Sequence, residues 1–180
     1  METIKTLLLT GYRSYELGVF QEKDPKITII KKAIKNNLRQ YTEAGLEWVI
    51  VGGNLGVEMW GAEVISQLKL DYPQLHLGVV FPFVEFGEQW NEGNQEKLLR
   101  LKQEADYVDS VSHKAYQNPQ QLQNHTNFLL QHSDGLLAVF DPEFPGKPKY
   151  LLDAAYKVAQ NNEYLIDLIT MDDLQNTFYE

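Results

Sequence analysis

The sequence predicts an α/β fold: a single Rossmann-like, doubly wound domain with a mostly parallel sheet, spanning residues 1–180. Three observations predict it. Apolar runs of strand length alternate with segments of helical period along the whole chain, the order that builds βαβ units. The runs are continuously apolar, as strands covered on both faces must be. The runs at Thr6–Thr10, Trp48–Val51 and His76–Phe81 stop at Gly11, Gly52-Gly53 and Pro82, residues that turn the chain out of a strand.

Element by element, Thr6 to Thr10 is the first strand. Asp24-Pro25 reads as an N-cap with proline at the first helical position, and Ile27, Ile30, Ile34, Leu38 and Tyr41 recur at helical spacing until Gly45. Trp48 to Val51 is the second strand, followed from Asn54 by a helix with Val57, Trp60, Val64 and Leu68 on one face. His76 to Phe81 is the third strand, and a polar helix over about Glu88 to Ala105 carries Trp90, Leu98, Leu101 and Ala105 inward. Tyr107 to Val111 is a short strand. After Asn118-Pro119 a helix turns Leu122, Phe128 and Leu129 inward, and Gly135 to Phe140 is a strongly apolar strand. The turn-rich loop Asp141 to Pro148 leads to a helix with Leu151, Ala154, Ala155 and Val158, and Leu165 to Ile169 is the last strand. No repeat, low-complexity tract or linker divides the chain.

Composition restricts the function. Hydrophobic residues make up 43% of the chain and aromatic residues 12%, a globular composition. The net charge of −9 opposes a phosphate-backbone partner, so nucleic acid is not expected. The absence of cysteine excludes disulfides, thiolate metal sites and a cysteine nucleophile, and suits a reducing cytoplasm. Thr6 to Leu9 is far too short for a signal core, and no segment has the apolar length of a membrane span. The expectation is a cytoplasmic protein with no membrane partner. His76, His113, His125 and His132 are scattered, not at metal spacing, and no GxSxG nucleophile motif occurs.

The chemistry concentrates at Gly52-Gly53-Asn54-Leu55-Gly56-Val57-Glu58, where the end of a strand meets the start of a helix. In such sheets ligands bind beyond the carboxyl ends of the strands. Glycines there admit positive φ and close approach to backbone amides, and the helix start offers partial positive charge to a phosphate. The spacing is neither GxGxxG nor a P-loop, and a tight turn with close helix packing explains the glycines equally well. Glu58 would repel a phosphate, so a functional role points it at a sugar hydroxyl, a base edge or a glycosidic bond; the plain alternative is a favourable first-turn carboxylate.

These residues carry a resemblance. The stretches at 10–20 (TGYRSYELGVF), 43–63 (EAGLEWVIVGGNLGVEMWGAE), 105–116 (ADYVDSVSHKAY), 132–143 (HSDGLLAVFDPE) and 169–174 (ITMDDL) resemble the YpsA-like branch of the SLOG superfamily, the group designated UPF0398 in Gram-positive bacteria. The resemblance implies a Rossmann-like domain that binds a nucleotide or nucleotide-derived small molecule, with Gly53, Gly56 and Glu58 on the signature. It also implies a regulatory association with bacterial cell division and an unidentified protein partner. Some superfamily relatives are phosphoribohydrolases with a signature similar to PGGxGTxxE. This chain lacks its proline and threonine, and Glu58 stands one residue early. His125 and Thr126 stand where relatives often show an Arg-Asn pair.

The expected ligand set is therefore Gly11, Arg13, Gly52, Gly53, Asn54, Gly56 and Glu58, with Pro82 and Asp141 as candidate walls because both follow strands. Arg13 ends the first strand and is the expected phosphate cation. The ligand expected is a nucleotide or an ADP-ribose-like molecule, with no metal. If the protein is instead an enzyme, Glu58 and Glu63 are the carboxylates that would stabilise glycosidic cleavage. Asp134 precedes its strand and reads as a capping residue. Trp60 and Trp90 read as core residues.

Overall fold

The computed structural model describes residues 3–180. Six strands form one sheet: β1 (Thr6–Gly11), β2 (Trp48–Val51), β3 (His76–Phe81), β4 (Tyr107–Ser110), β5 (Gly135–Val139) and β6 (Leu165–Ile169). Their order is β4-β3-β2-β1-β5-β6, and every pair is parallel. The sheet is thus wholly rather than mostly parallel. β1 is central, with Leu8 opposite Ile50 on one side and Leu136 on the other. Buried on both faces, Leu7, Leu8, Leu9, Val49, Val51, Leu77, Val79, Leu136 and Leu137 form the middle of the core, which is why these strands read as unbroken apolar runs.

The helices are α1 (Pro25–Glu43), α2 (Val57–Leu68), α3 (Glu92–Glu104), α4 (Gln120–Gln131), α5 (Lys149–Asn161) and α6 (Met171–Tyr179), with a short 3-10 helix, η1 (Ser14–Leu17), after β1. Right-handed crossovers put α1, α2 and α3 on one face, where α2 packs between the other two, and leave α4 and α5 together on the opposite face. α6 returns to lie against α1. The expected start of α1 is found: Asp24 accepts from the Lys26 amide at 2.9 Å, with Pro25 at N1.

Four expectations are corrected. α3 begins at Glu92, not Glu88, because Asn91 caps it by accepting from the Asn94 amide at 2.9 Å. β4 ends at Ser110 and lies exposed at the sheet edge. On α4 Leu122 is 45% exposed, and Gln121 is the residue turned inward, its amide bonded to Ser112 and Ala115. α6 is an element that the apolar periodicity left out; its signal is the cap, since Thr170 and Asp173 bond reciprocally to each other's backbone. Asp134 behaves as expected of a capping group, accepting the Lys5 and Thr6 amides where β1 begins.

Candidate functional site

The strand order reverses between β1 and β5, and there Tyr12 ties the ends of the two strands together. Tyr12, immediately after β1, is 3% exposed, and its ring lies 5.5 Å from that of Phe140. Its hydroxyl accepts from the Asp141 amide at 2.9 Å and donates to the Phe144 carbonyl at 2.7 Å. Burial pushes the Tyr12 phenol above its ordinary pKa, so it stays a neutral donor. Asp141, one of the predicted walls, is itself committed: its carboxylate accepts the Glu143 and Met171 amides at 2.9 and 3.1 Å, tying the loop after β5 to the start of α6. Glu16 completes the closure by accepting from the Arg13 and Lys147 amides.

Beside the closed crevice lies the loop after β2. Gly53 has φ +96°, and a Cβ there would meet the Phe81 ring at 2.3 Å; Gly56 has φ +97°, and a Cβ would lie 2.6 Å from both Ser14 N and Tyr12 O. Glycine is required at both by conformation and by close approach. Gly52 and Gly11 pack against His125 and Val57 respectively. Beneath the loop, Glu58 is 3% exposed and takes four donors. One carboxylate oxygen accepts the Gly52 and Asn54 amides at 2.8 and 3.2 Å; the other accepts the Asn54 side-chain amide at 3.0 Å and the Thr10 hydroxyl at 3.1 Å. That uses the acceptor sites of a carboxylate, so Glu58 faces the loop it shapes, with no capacity left for a sugar.

His125 was not expected in this assembly. It is buried on α4, and its Nε2–H donates to the Val80 carbonyl at 2.6 Å while the ring flanks Gly52. Burial lowers its pKa; the Val80 carbonyl and the Glu58 charge oppose this less strongly. The only sequence signal was a histidine where an arginine was expected. His132, the residue that caps the end of α4, is exposed, and no cluster of His, Asp and Glu among the described residues could hold a metal ion.

A cleft of about 740 Å³ opens on the face formed by α1, α2 and α3. Its floor is the first two turns of α2, one wall is η1 with the start of α1, and the other is α3 with the loop before it. Of the predicted ligand residues, Arg13, Asn54 and Gly56 line it, as does Glu63. Gly11, Gly52, Gly53, Glu58, Pro82 and Asp141 do not; Pro82 is buried, and its carbonyl accepts from Ser112. Trp60 is core as expected, yet its edge reaches the cleft beside the half-buried Trp90. The lining holds five cations, Arg13, Lys31, Lys97, Arg100 and Lys147, against three carboxylates. Among the described residues Lys31 alone of these pairs with a carboxylate, that of Glu63. At the floor the amides of Leu55, Gly56 and Met59 donate to no acceptor among the described residues, and Val57 N is taken by Tyr12 O.

The sequence model described as the YspA SLOG family matches residues 7–174. The chain belongs to the YspA SLOG family. Among its relatives, a UPF0398 protein of Enterococcus faecalis is 55% identical over 177 residues, covering 98% of each chain. UPF0398 proteins of Leuconostoc citreum and Lacticaseibacillus casei are 52% and 49% identical over 174 and 173 residues, covering 94% and 96% of this chain and 90% and 91% of theirs. The glycine loop, the η1 segment and both walls of the cleft all fall inside the family match. No helix among the described residues is long and apolar enough to cross a membrane.

Proposed function

We propose that this YspA SLOG family member is a cytoplasmic single-domain protein that binds a nucleotide or nucleotide-derived small molecule in the cleft over α2, in a regulatory rather than a catalytic role. Family membership suggests a nucleotide-related function. The observation that carries the reading is electrostatic: in a protein of net charge −9, four cations without a carboxylate partner line one cleft, beside free amides at the start of a helix. Amides and dipole at a helix start favour an anion, and Arg13 adds a guanidinium suited to phosphate. The phosphate lies at Leu55, Gly56 and Arg13, and the Asn54 side chain and the aromatic edges of Trp90 and Tyr15 are available to sugar and base. Glu58 acts on the ligand through the loop that it holds. A link to bacterial cell division is the finer form of the regulatory role.

The glycosidase reading has one observation in its favour, that Glu63 lines the cleft. Against it, Glu58 is saturated by its own loop, so the cleft has no second carboxylate from the predicted pair. The test is a thermal-shift panel of mononucleotides, dinucleotides and ADP-ribose on the wild type and Arg13→Ala. A ligand at a hundred times its Kd raises stability by about 2.7 kcal/mol. A shift lost in the variant supports the reading; no shift from any nucleotide sinks it, and release of free base from a bound nucleotide would establish the enzyme instead.

A further inference from the structure

We infer that the cleft takes a ligand with two separated phosphate-bearing parts, the second held by Lys97 and Arg100 on α3. The inference rests on the nucleotide reading above and extends it to a second subsite.

Lys97, Arg100, Leu101 and Glu104 recur at three- and four-residue spacing, so they share one face, and all four line the cleft. Leu101 is buried at the bottom of that face, and the cationic pair stands above it. Neither cation has a carboxylate partner among the described residues, although acids are near. Glu104 lies one turn beyond Arg100, yet its carboxylate accepts the Ser66 hydroxyl at 3.3 Å. Glu63 is held by Lys31 on the other side of the cleft.

The two cationic sets also approach from opposite sides. Arg13 and Lys147 belong to the η1 side and Lys97 and Arg100 to α3, with α2 as the floor between. The two sets stand on opposite walls of the cleft with the first turns of α2 between them, and the axes of packed helices lie about 8–10 Å apart. One phosphate could serve both sets only by drawing the long stems of Lys97 and Arg100 across the floor, at a cost in side-chain entropy. A second anionic group satisfies the α3 pair in place. The volume agrees, since about 740 Å³ lies in the upper part of the range of about 300–1,000 Å³ typical of small-molecule sites. Trp90, on the α3 side, lines the same cleft and offers an aromatic edge to a base or sugar.

The test uses pairs of ligands that differ by one phosphate: AMP with adenosine 3′,5′-bisphosphate, and NAD with NADP, titrated by calorimetry into the full-length protein. The expected result is at least tenfold tighter binding of the extra-phosphate member in one or both pairs, with that gain lost in the double variant K97Q/R100Q. Arg13→Ala is expected to weaken both members of a pair alike. Melting temperatures of all variants report that they are folded; if the double variant does not fold, charge reversal at exposed Arg100 alone replaces it. Equal affinities within both pairs, or a gain that survives in the α3 variant, overturns the second subsite while leaving the first phosphate site standing. Failure of every nucleotide to bind the wild type overturns the reading on which the inference rests, and the inference with it.

Discussion

Glu58 is a carboxylate whose acceptor capacity goes to the loop beside it. Its four donors include two backbone amides and the Thr10 hydroxyl, all of which lose their partner together if the carboxylate is removed. Unsatisfied buried donors cost about 1–3 kcal/mol each, so Glu58→Ala is expected to destabilise by at least about 3 kcal/mol in urea denaturation. Wild-type stability in that variant would instead mean that the carboxylate is free to meet a ligand. His125, next to the same loop, makes a pH prediction. Its folded pKa lies below the ordinary value, so the unfolded chain takes up the proton first, and the neutral ring contributes stability above about pH 6.5 that is lost as pH falls. The stability difference between wild type and His125→Gln, which keeps a donor for the Val80 carbonyl, should therefore shrink from pH 7 to 5, by at most about 1.4 kcal/mol per pH unit. A difference independent of pH would rule out the neutral buried ring. The loop itself was legible in the sequence because glycines after a strand have few uses; His125 was not, because nothing local says that a residue on α4 reaches the loop after β2.

At the scale of elements, the ends of β1 and β5 are closed by one tyrosine. Tyr12→Phe removes a hydroxyl that serves the Asp141 amide and the Phe144 carbonyl, and is expected to cost about 1–3 kcal/mol while speeding amide exchange in residues 141–147. Unchanged exchange there would show that the Glu16 contacts suffice to hold the loop. This closure explains why the open cleft lies over α2 and not at the reversal of strand order between β1 and β5, where the general rule for open α/β sheets puts a ligand site. Tyr12 and Asp141 are adjacent only because β1 and β5 are neighbours, a pairing made across more than a hundred residues. The start of α1 was legible in the Asp24-Pro25 cap, whereas the start of α3 and the whole of α6 are marked by caps, at Asn91 and Thr170, that the apolar period does not show.

Across the whole molecule, charge is distributed against its own sum. A net charge of −9 coexists with a cleft in which cations outnumber acids, and that contrast favours small anions over a polyanionic surface partner. Glu63→Gln removes an acid from the cleft and frees Lys31, so it is expected to tighten phosphate-ligand binding about three- to tenfold in calorimetry, a gain of about 0.7–1.4 kcal/mol. Weaker binding, or loss of base release from a nucleotide, would instead make Glu63 a catalytic group. The gain should diminish between 0.05 and about 0.5 M salt, as the Debye length falls towards the separation of the charges.

The sequence by itself determined the α/β class, five of the six helices, the six strands and the glycine loop, because hydrophobic period, caps and glycine stereochemistry act within a few residues of chain. It also determined the acidic surface and the absence of thiol chemistry. Only the tertiary structure decided which of the candidate residues face open space. Arg13, Asn54, Gly56 and Glu63 line the cleft with Lys97, Arg100 and Lys147, while the Glu58 and Asp141 carboxylates turn away from it to accept backbone amides and Pro82 is buried. The physical reason is that the direction of a side chain is set by what packs beside it, and in a parallel sheet those neighbours come from distant segments through strand order, crossover hand and the packing of α2 between α1 and α3.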